Sequence, residues 1–281
     1  MLVQERSIEV GGLPTRHLEV GDGNPLVLLH ALGESSFDWR WVIPALASTH
    51  HVYALDLSSF GLSAKPAADY SPAFFERFAT GFLDALGLHR AVVGNSLGGL
   101  IALRLALSKP SRVGALILVD SADLGRSATF ALRSLTVPGY GELAVAWAKT
   151  PAGSAWRAWS KAQLLFAHPP RAPAAWTAEQ YRLAQLPNFL EAALAALRAQ
   201  LDLQGQREVL LDRLAHFETP TLVVWGTQDR VFSPSQAQNA VARLPEGSLA
   251  FIPDCGHMPH IERPDQFVTV LDEFLGTGSS P

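Results

Sequence analysis

Ala91-Val92-Val93-Gly94-Asn95-Ser96-Leu97-Gly98-Gly99-Leu100 is the stretch whose reading decides the fold. It runs from a short apolar β-type segment directly into an apolar stretch of helical text, with Gly94-Asn95-Ser96-Leu97-Gly98 at the junction. That junction matches G-x-S-x-G, and the spacing has a physical reason. A serine on a tight strand-to-helix turn sits in a strained backbone conformation, and glycines two residues either side let neighbouring chain pass without a Cβ. The turn lifts the hydroxyl above a sheet and aims a helix N-terminus at developing negative charge. A glycine-rich turn that merely packs helix on strand is the plain alternative. The strand before and the helix after favour a nucleophile.

Outward from this turn the same alternation repeats. Apolar runs at Pro25–His30, His51–Asp56, Ala91–Asn95, Ala115–Asp120, Thr221–Gly226 and Ser248–Pro253 read as strands buried on both faces. Helical text lies between them at Phe37–Ala47, Pro72–Leu86, Leu97–Ser108, Pro234–Arg243 and Pro264–Leu275, with prolines suited to first turns. Gly11-Gly12 between two alternating runs reads as an edge hairpin. Together these predict an α/β architecture, a doubly wound and mostly parallel sheet. From Asp123 to His216 no strand is predicted, only Ala/Leu/Arg-rich helical text broken by prolines. The domain reading is therefore a core of residues 1–122 and 217–281 with a helical cap at 123–216. The tail Gly-Thr-Gly-Ser-Ser-Pro is expected to fray.

Composition bounds the function. The 281 residues are 48% hydrophobic and 17% charged, enough to bury a large core. A net charge of −4 argues against nucleic acid as a partner, which needs a basic surface. No apolar run reaches the ~18–20 residues of a membrane span. The first residues have no basic segment followed by an apolar run, and the one cysteine, Cys255, has no internal partner, so a cytoplasmic location is expected.

A serine needs a base and an oriented acid to attack near pH 7. Of nine histidines, His257 stands in Asp-Cys-Gly-His after the last strand, where a parallel sheet forms its ligand crevice. His50, His51, His89 and His168 read as surface. His260, three residues on, lacks a third ligand for a metal, and no metal or cofactor is expected. Asp229 follows the strand Thr221–Gly226, 28 residues before His257, and is the favoured acid. Asp120 and Asp123, after an earlier strand, are the alternatives, with turn formation or capping as their plain reading. Cys255 reads as a small hydrophobe. Trp39, Val231 and Met258 are possible pocket walls, and Trp147, Trp156, Trp159 and Trp176 either grip substrate or pack helices.

In this order, Ser96 then Asp229 then His257, the chain resembles the α/β-hydrolase fold superfamily. His30-Ala31-Leu32-Gly33 is similar to that family's H-G-x-G oxyanion loop, and Asp56 to Ser63 to its D-x-x-G-x-G-x-S segment. The resemblance implies an oxyanion hole made by the N–H groups of Leu32 and Leu97, and a helical lid from the insertion. Ala31 and Ser59 depart from the family's usual glycines. Serine at position 96 excludes the aspartate-nucleophile branches, haloalkane dehalogenases and epoxide hydrolases. The expected activity is cofactor-free hydrolysis of a small-molecule carboxylic ester bearing a small to medium hydrophobic acyl or aromatic group. C–C cleavage of vinylogous diketones, lactonase or perhydrolase chemistry are alternatives, and a ligand receptor or binding module is the reading from another class.

Overall fold

The computed structural model describes residues 2–277; the last four positions of the expected frayed tail lie outside them. Eight strands form one sheet: β1 (Gln4–Val10), β2 (Leu13–Val20), β3 (Asn24–Leu29), β4 (His50–Leu55), β5 (Arg90–Asn95), β6 (Val113–Val119), β9 (Thr221–Gly226) and β10 (Gly247–Ile252). A separate two-residue pair, β7 (Leu201–Asp202) and β8 (Gly205–Gln206), lies in the insertion. The sheet order is β1-β2-β4-β3-β5-β6-β9-β10. β1 and β2 form the edge hairpin, β2 runs antiparallel to β4, and every other neighbour is parallel. The doubly wound, mostly parallel sheet is thus present.

Helices cover both faces. α1 (Ile43–Leu46) and α11 (Pro264–Thr277) lie on one, and α2 (Pro72–Leu86), α3 (Leu97–Ser108) and α9 (Ser235–Val241) on the other; α10 (Pro259–Glu262) precedes α11. Successive strand residues feed opposite cores: Val27 and Leu29 pack with Phe75 and Leu100, while Leu26 and Leu28 pack with Ile43 and Phe267. Because both faces are buried there, the central strands β3, β5, β6 and β9 are largely apolar, whereas the edge strand β1 is polar and mostly exposed. α2 is delimited by local chemistry. Ser71 Oγ accepts the Phe74 N–H at 3.1 Å, Pro72 opens the first turn, and Gly87 closes it at φ 63°.

Two expectations are corrected. The helix expected over Phe37–Ala47 is a 3-10 turn at Ser36–Trp41 followed by α1. Pro44 cannot donate to the carbonyl four residues back and its ring clashes there, so one continuous helix cannot run from Phe37 through it, and Pro44 sits instead in the first turn of α1. The stretch expected to hold no strand contains β7–β8, too short to leave an apolar run. It otherwise consists of α4 (Phe130–Leu135), α5 (Tyr140–Ala148), α6 (Pro151–Leu165), α7 (Ala174–Ala184) and α8 (Phe189–Gln200).

The chain's winding creates the site. β4 lies on one side of β3 and β5 on the other, so the connections after β3 and β5 diverge and leave a crevice at their carboxyl ends. Closeness of packing there depends on missing side chains. A Cβ on Gly94 would fall 2.1 Å from Gly98 O, and one on Gly98 would fall 2.2 Å from Leu29 O. Gly98→Ala is expected to destabilise the fold by about 2–3 kcal/mol or more in urea denaturation. Gly114→Ala, where a Cβ meets nothing within 4 Å, is the control and stays near wild type. Equal stability of the two variants contradicts this packing account.

Candidate active site

Ser96 occupies the N-cap position of α3, where a serine ordinarily accepts an N–H of the first turn; here its side chain makes no capping bond. Its backbone is left-handed, φ 54° and ψ −112°, a costly conformation for a residue with a side chain. Neighbouring chain holds it there. Ser96 N–H donates to Val119 O at 2.9 Å, and Ser96 O accepts from both Leu100 and Ala122 N–H at 3.1 Å. The result is a hydroxyl directed off the sheet, with the unpaired first-turn N–H groups of α3 beside it.

The loop after β3 is fixed by His30. Its Nδ1 donates to Ala31 O at 2.8 Å, so Nε2 is the acceptor for Leu57 N–H at 3.0 Å. Burial lowers the His30 pKa, which keeps this neutral tautomer. Asp56 anchors the neighbouring segment: its carboxylate accepts from Ser36 N–H, Leu62 N–H and Arg16 at 2.7, 2.9 and 3.1 Å. Ser59, where the family has glycine, takes φ 75°, so that position keeps the glycine-like conformation without the glycine.

Asp229 and His257 come from the ends of β9 and β10. Asp229 Oδ1 accepts from the N–H groups of Val231 and Phe232 at 2.7 and 3.3 Å, which leaves Oδ2 for His257 Nδ1 at 2.9 Å. Both side chains are buried. With Nδ1 the donor, Nε2 is left as the free basic nitrogen. The His257 backbone is itself held, its N–H donating to Leu165 O at 2.7 Å and its carbonyl accepting Asn95 Nδ2 at 3.1 Å. Asn95 also donates to Val119 O, tying the serine turn to the histidine loop. Glu262 accepts from Gly256 and Ala167 N–H at 2.6 and 2.9 Å and so fixes the same loop from below.

Asp120 is the neighbour of this pair, not the partner of His257. One carboxyl oxygen accepts Gly226 N–H at 3.0 Å; the other has no hydrogen-bond partner among the described residues. Ligand atoms of Asp120, Asp229 and His257 lie within 4.8 Å of one another, the one cluster among the described residues with metal-ligand spacing. The hydrogen bond between Asp229 and His257 accounts for two of its members without an ion. Complete burial, reinforced by the charge of Asp229, raises the Asp120 pKa far above the usual carboxylate range. The shift is toward the uncharged carboxyl, and Asp229 is the carboxylate that bonds the imidazole. Asp123, also left-handed, is pushed up to about 8 by burial, and its carboxyl oxygens have no hydrogen-bond partner among the described residues.

A family model described as alpha/beta hydrolase fold matches residues 24–264. The chain belongs to the α/β-hydrolase fold family. It is 32% identical over 283 residues to a 2-hydroxymuconate semialdehyde hydrolase of Pseudomonas putida, covering 96% of this chain and 93% of that relative. Among solved structures, a bacterial membrane phospholipase A superposes with a TM-score of 0.82 at 27% identity, covering 99% of this chain and 87% of the other. A serine hydrolase involved in carbazole degradation gives 0.81 at 28%, covering 98% and 100%.

In this α/β hydrolase, Ser96, His257 and Leu32 open into one cavity of about 620 Å³, walled by the sheet loops below and α4–α6 and α8 above. Val231 lines it. Trp39 and Met258 do not: Trp39 is buried under the loop, stacked on His260 at 4.2 Å, and Met258 lies in the core. His260, pushed down to about 3 by burial, is a neutral packing group. Of the four tryptophans weighed, Trp147 and Trp156 line the cavity, Trp159 is exposed, and Trp176 is buried against Phe166. Burial raises the Cys255 thiol's pKa and leaves it inert.

Sequence reasoning missed a polar cluster beside the loop after β3. Lys161 of α6 pairs with Glu34 and donates to Gly33 O at 3.3 Å and Gln180 Oε1 at 2.8 Å. Arg157, one helical turn earlier, meets the two Gln180 oxygens at 3.1 and 3.3 Å. Only the Arg-x-x-x-Lys spacing on α6 could have signalled it.

The two carboxyls give opposite expectations. Asp229→Asn should lower kcat by about 10³–10⁴-fold, because the amide imposes the wrong imidazole tautomer. Asp120→Asn replaces a carboxyl that burial pushes toward its uncharged form and that does not bond His257, and should stay within about tenfold of wild type. Steady-state kinetics with one soluble ester decides it, and the reverse order would assign the acid to β6.

Proposed function

We propose that this chain is a serine hydrolase that cleaves carboxylic esters through an acyl-enzyme, with Ser96 as nucleophile, His257 as base and Asp229 as the orienting acid. The observation that carries the reading is an N-cap serine whose hydroxyl caps nothing, opening into the same cavity as a histidine already bound through Nδ1 to a buried carboxylate. In this reading Ser96 Oγ attacks the acyl carbon and its proton passes to His257 Nε2. The oxygen that becomes negative accepts the N–H groups of Leu32 and Leu97. Collapse of the tetrahedral adduct expels the alcohol, which takes the proton from His257. Water, deprotonated by the same nitrogen, then releases the acid. Residues 123–216 act as the cap over a core of 1–122 and 217–281.

The cavity supports an apolar acyl group: Leu132, Leu135, Leu164, Leu190, Leu194 and Leu197 line it. Lys161 is neutralised by Glu34 and is not available to a substrate anion. One observation favours a second reading, C–C bond hydrolysis of an acidic vinylogous diketone. Arg157 lines the cavity with no carboxylate bonded to it among the described residues, and a full-length relative is named a 2-hydroxymuconate semialdehyde hydrolase.

The two readings separate in one comparison of kcat/KM. p-Nitrophenyl esters from acetate to laurate should be turned over with a gradual preference, each fitting methylene contributing about 1–3 kcal/mol until the cavity is full. Ser96→Ala should abolish turnover. If 2-hydroxymuconate semialdehyde exceeds the best ester by more than about a hundredfold, and Arg157→Met removes that activity alone, the C–C reading replaces the ester one.

A further inference from the structure

Around the mouth of the cavity the insertion exposes side chains that proteins ordinarily bury. Tyr140, Leu143 and Trp147 are 54, 71 and 52% exposed, and Trp156 and Trp159 are 56 and 53% exposed. Tyr140, Leu143 and Trp147 fall at i, i+3 and i+7 of α5, one face of that helix. Trp156 and Trp159 of α6 lie against each other with ring centroids 4.8 Å apart and planes tilted by 33°, and α6 packs against α5. Tyr140, Trp147 and Trp156 also line the cavity that holds Ser96. The apolar face is therefore the rim of the substrate's entrance and not a patch elsewhere on the surface.

Its charges are already matched. Between residues 138 and 160 the charged side chains are Glu142, Lys149 and Arg157. Glu142 is held by two nitrogens of Arg198 at 2.5 and 2.9 Å, Lys149 pairs with Glu191, and Arg157 turns into the cavity. A face of this kind offers no charge pattern for another protein to read, and it gives a negatively charged surface nothing to repel. Tryptophan and tyrosine are the side chains that favour the boundary between water and lipid headgroups, since each has an apolar body and one polar atom. No helix among the described residues is long and apolar enough to cross a membrane, so contact here would be peripheral.

We propose that this rim docks on a phospholipid surface and draws the acyl chain of a lipid ester from it into the cavity. The proposal rests on the ester reading above and names its substrate class. A second copy of the chain is the competing occupant of an apolar face. The position of the rim disfavours it, because a protein seated over Tyr140, Trp147 and Trp156 closes the way to Ser96, whereas a lipid surface supplies what enters.

The test uses Leu143 and Trp159, which are on the face but do not line the cavity. Co-sedimentation of the Ser96→Ala chain with phosphatidylcholine–phosphatidylglycerol vesicles reads docking without turnover. Adding Leu143→Ser and Trp159→Ser should weaken vesicle binding by about tenfold or more. In the otherwise wild-type chain, the same pair should lower kcat/KM for a vesicle-borne acyl ester about as much, and leave p-nitrophenyl butyrate within about twofold. Absence of vesicle binding, or binding unchanged by the pair, overturns the proposal. So does a stable dimer at assay concentration that the pair dissociates, which would make this face a contact between copies. Failure to hydrolyse p-nitrophenyl butyrate would instead count against the ester reading and leave vesicle binding to be judged alone.

Discussion

The close passage of α3 over the end of β3 is the constraint on which the site depends. Gly98 brings the helix so near Leu29 O that no Cβ fits, and Gly94 and Gly98 approach each other just as tightly. That approach forces the intervening Ser96 into a left-handed turn, and three backbone hydrogen bonds to β6, the following loop and α3 keep it there. The sheet around it is buried on both faces, so the strained turn is held by packed structure on every side. Relaxing it would return the hydroxyl to the capping role a serine at a helix start usually takes.

Electrostatics in the crevice follow from the same packing. Three ionisable groups converge there, and three charges could not all be kept out of water at this spacing. Burial and the charge of Asp229 push Asp120 toward its uncharged form, while Asp229, held by two N–H groups, is the carboxylate bonded to His257. On the far side of the oxyanion loop Lys161 and Glu34 cancel each other. In the cavity between these two clusters Arg157 is the lining cation with no carboxylate bonded to it among the described residues.

Much of the fold was legible because its signals are local. α2 and α3 begin and end at the predicted residues, since Ser71-Pro72, Gly87 and the Gly94–Gly98 turn are read within a few positions. The sheet was legible because strands buried on both faces leave unbroken apolar runs. What was not legible depended on partners distant in sequence or on side-chain direction. Lys161 and Glu34 are separated by 127 residues. Trp39 follows the oxyanion loop closely, yet the 3-10 turn sends its ring under the loop onto His260. Met258 follows His257, but its side chain lies in the core. Trp147 and Trp159 read alike in sequence and are equally exposed, and only the helix faces decide that Trp147 also lines the cavity while Trp159 does not.

The central claim is that the Ser96 turn presents a nucleophile to an oxyanion site made by two backbone N–H groups. A crystal structure of the chain after reaction with a small phosphonate ester tests it most directly. The account predicts phosphorus bonded to Ser96 Oγ, with the phosphoryl oxygen within hydrogen-bonding distance of both Leu32 N and Leu97 N. An adduct on another residue, or a phosphoryl oxygen turned away from both N–H groups, would contradict it.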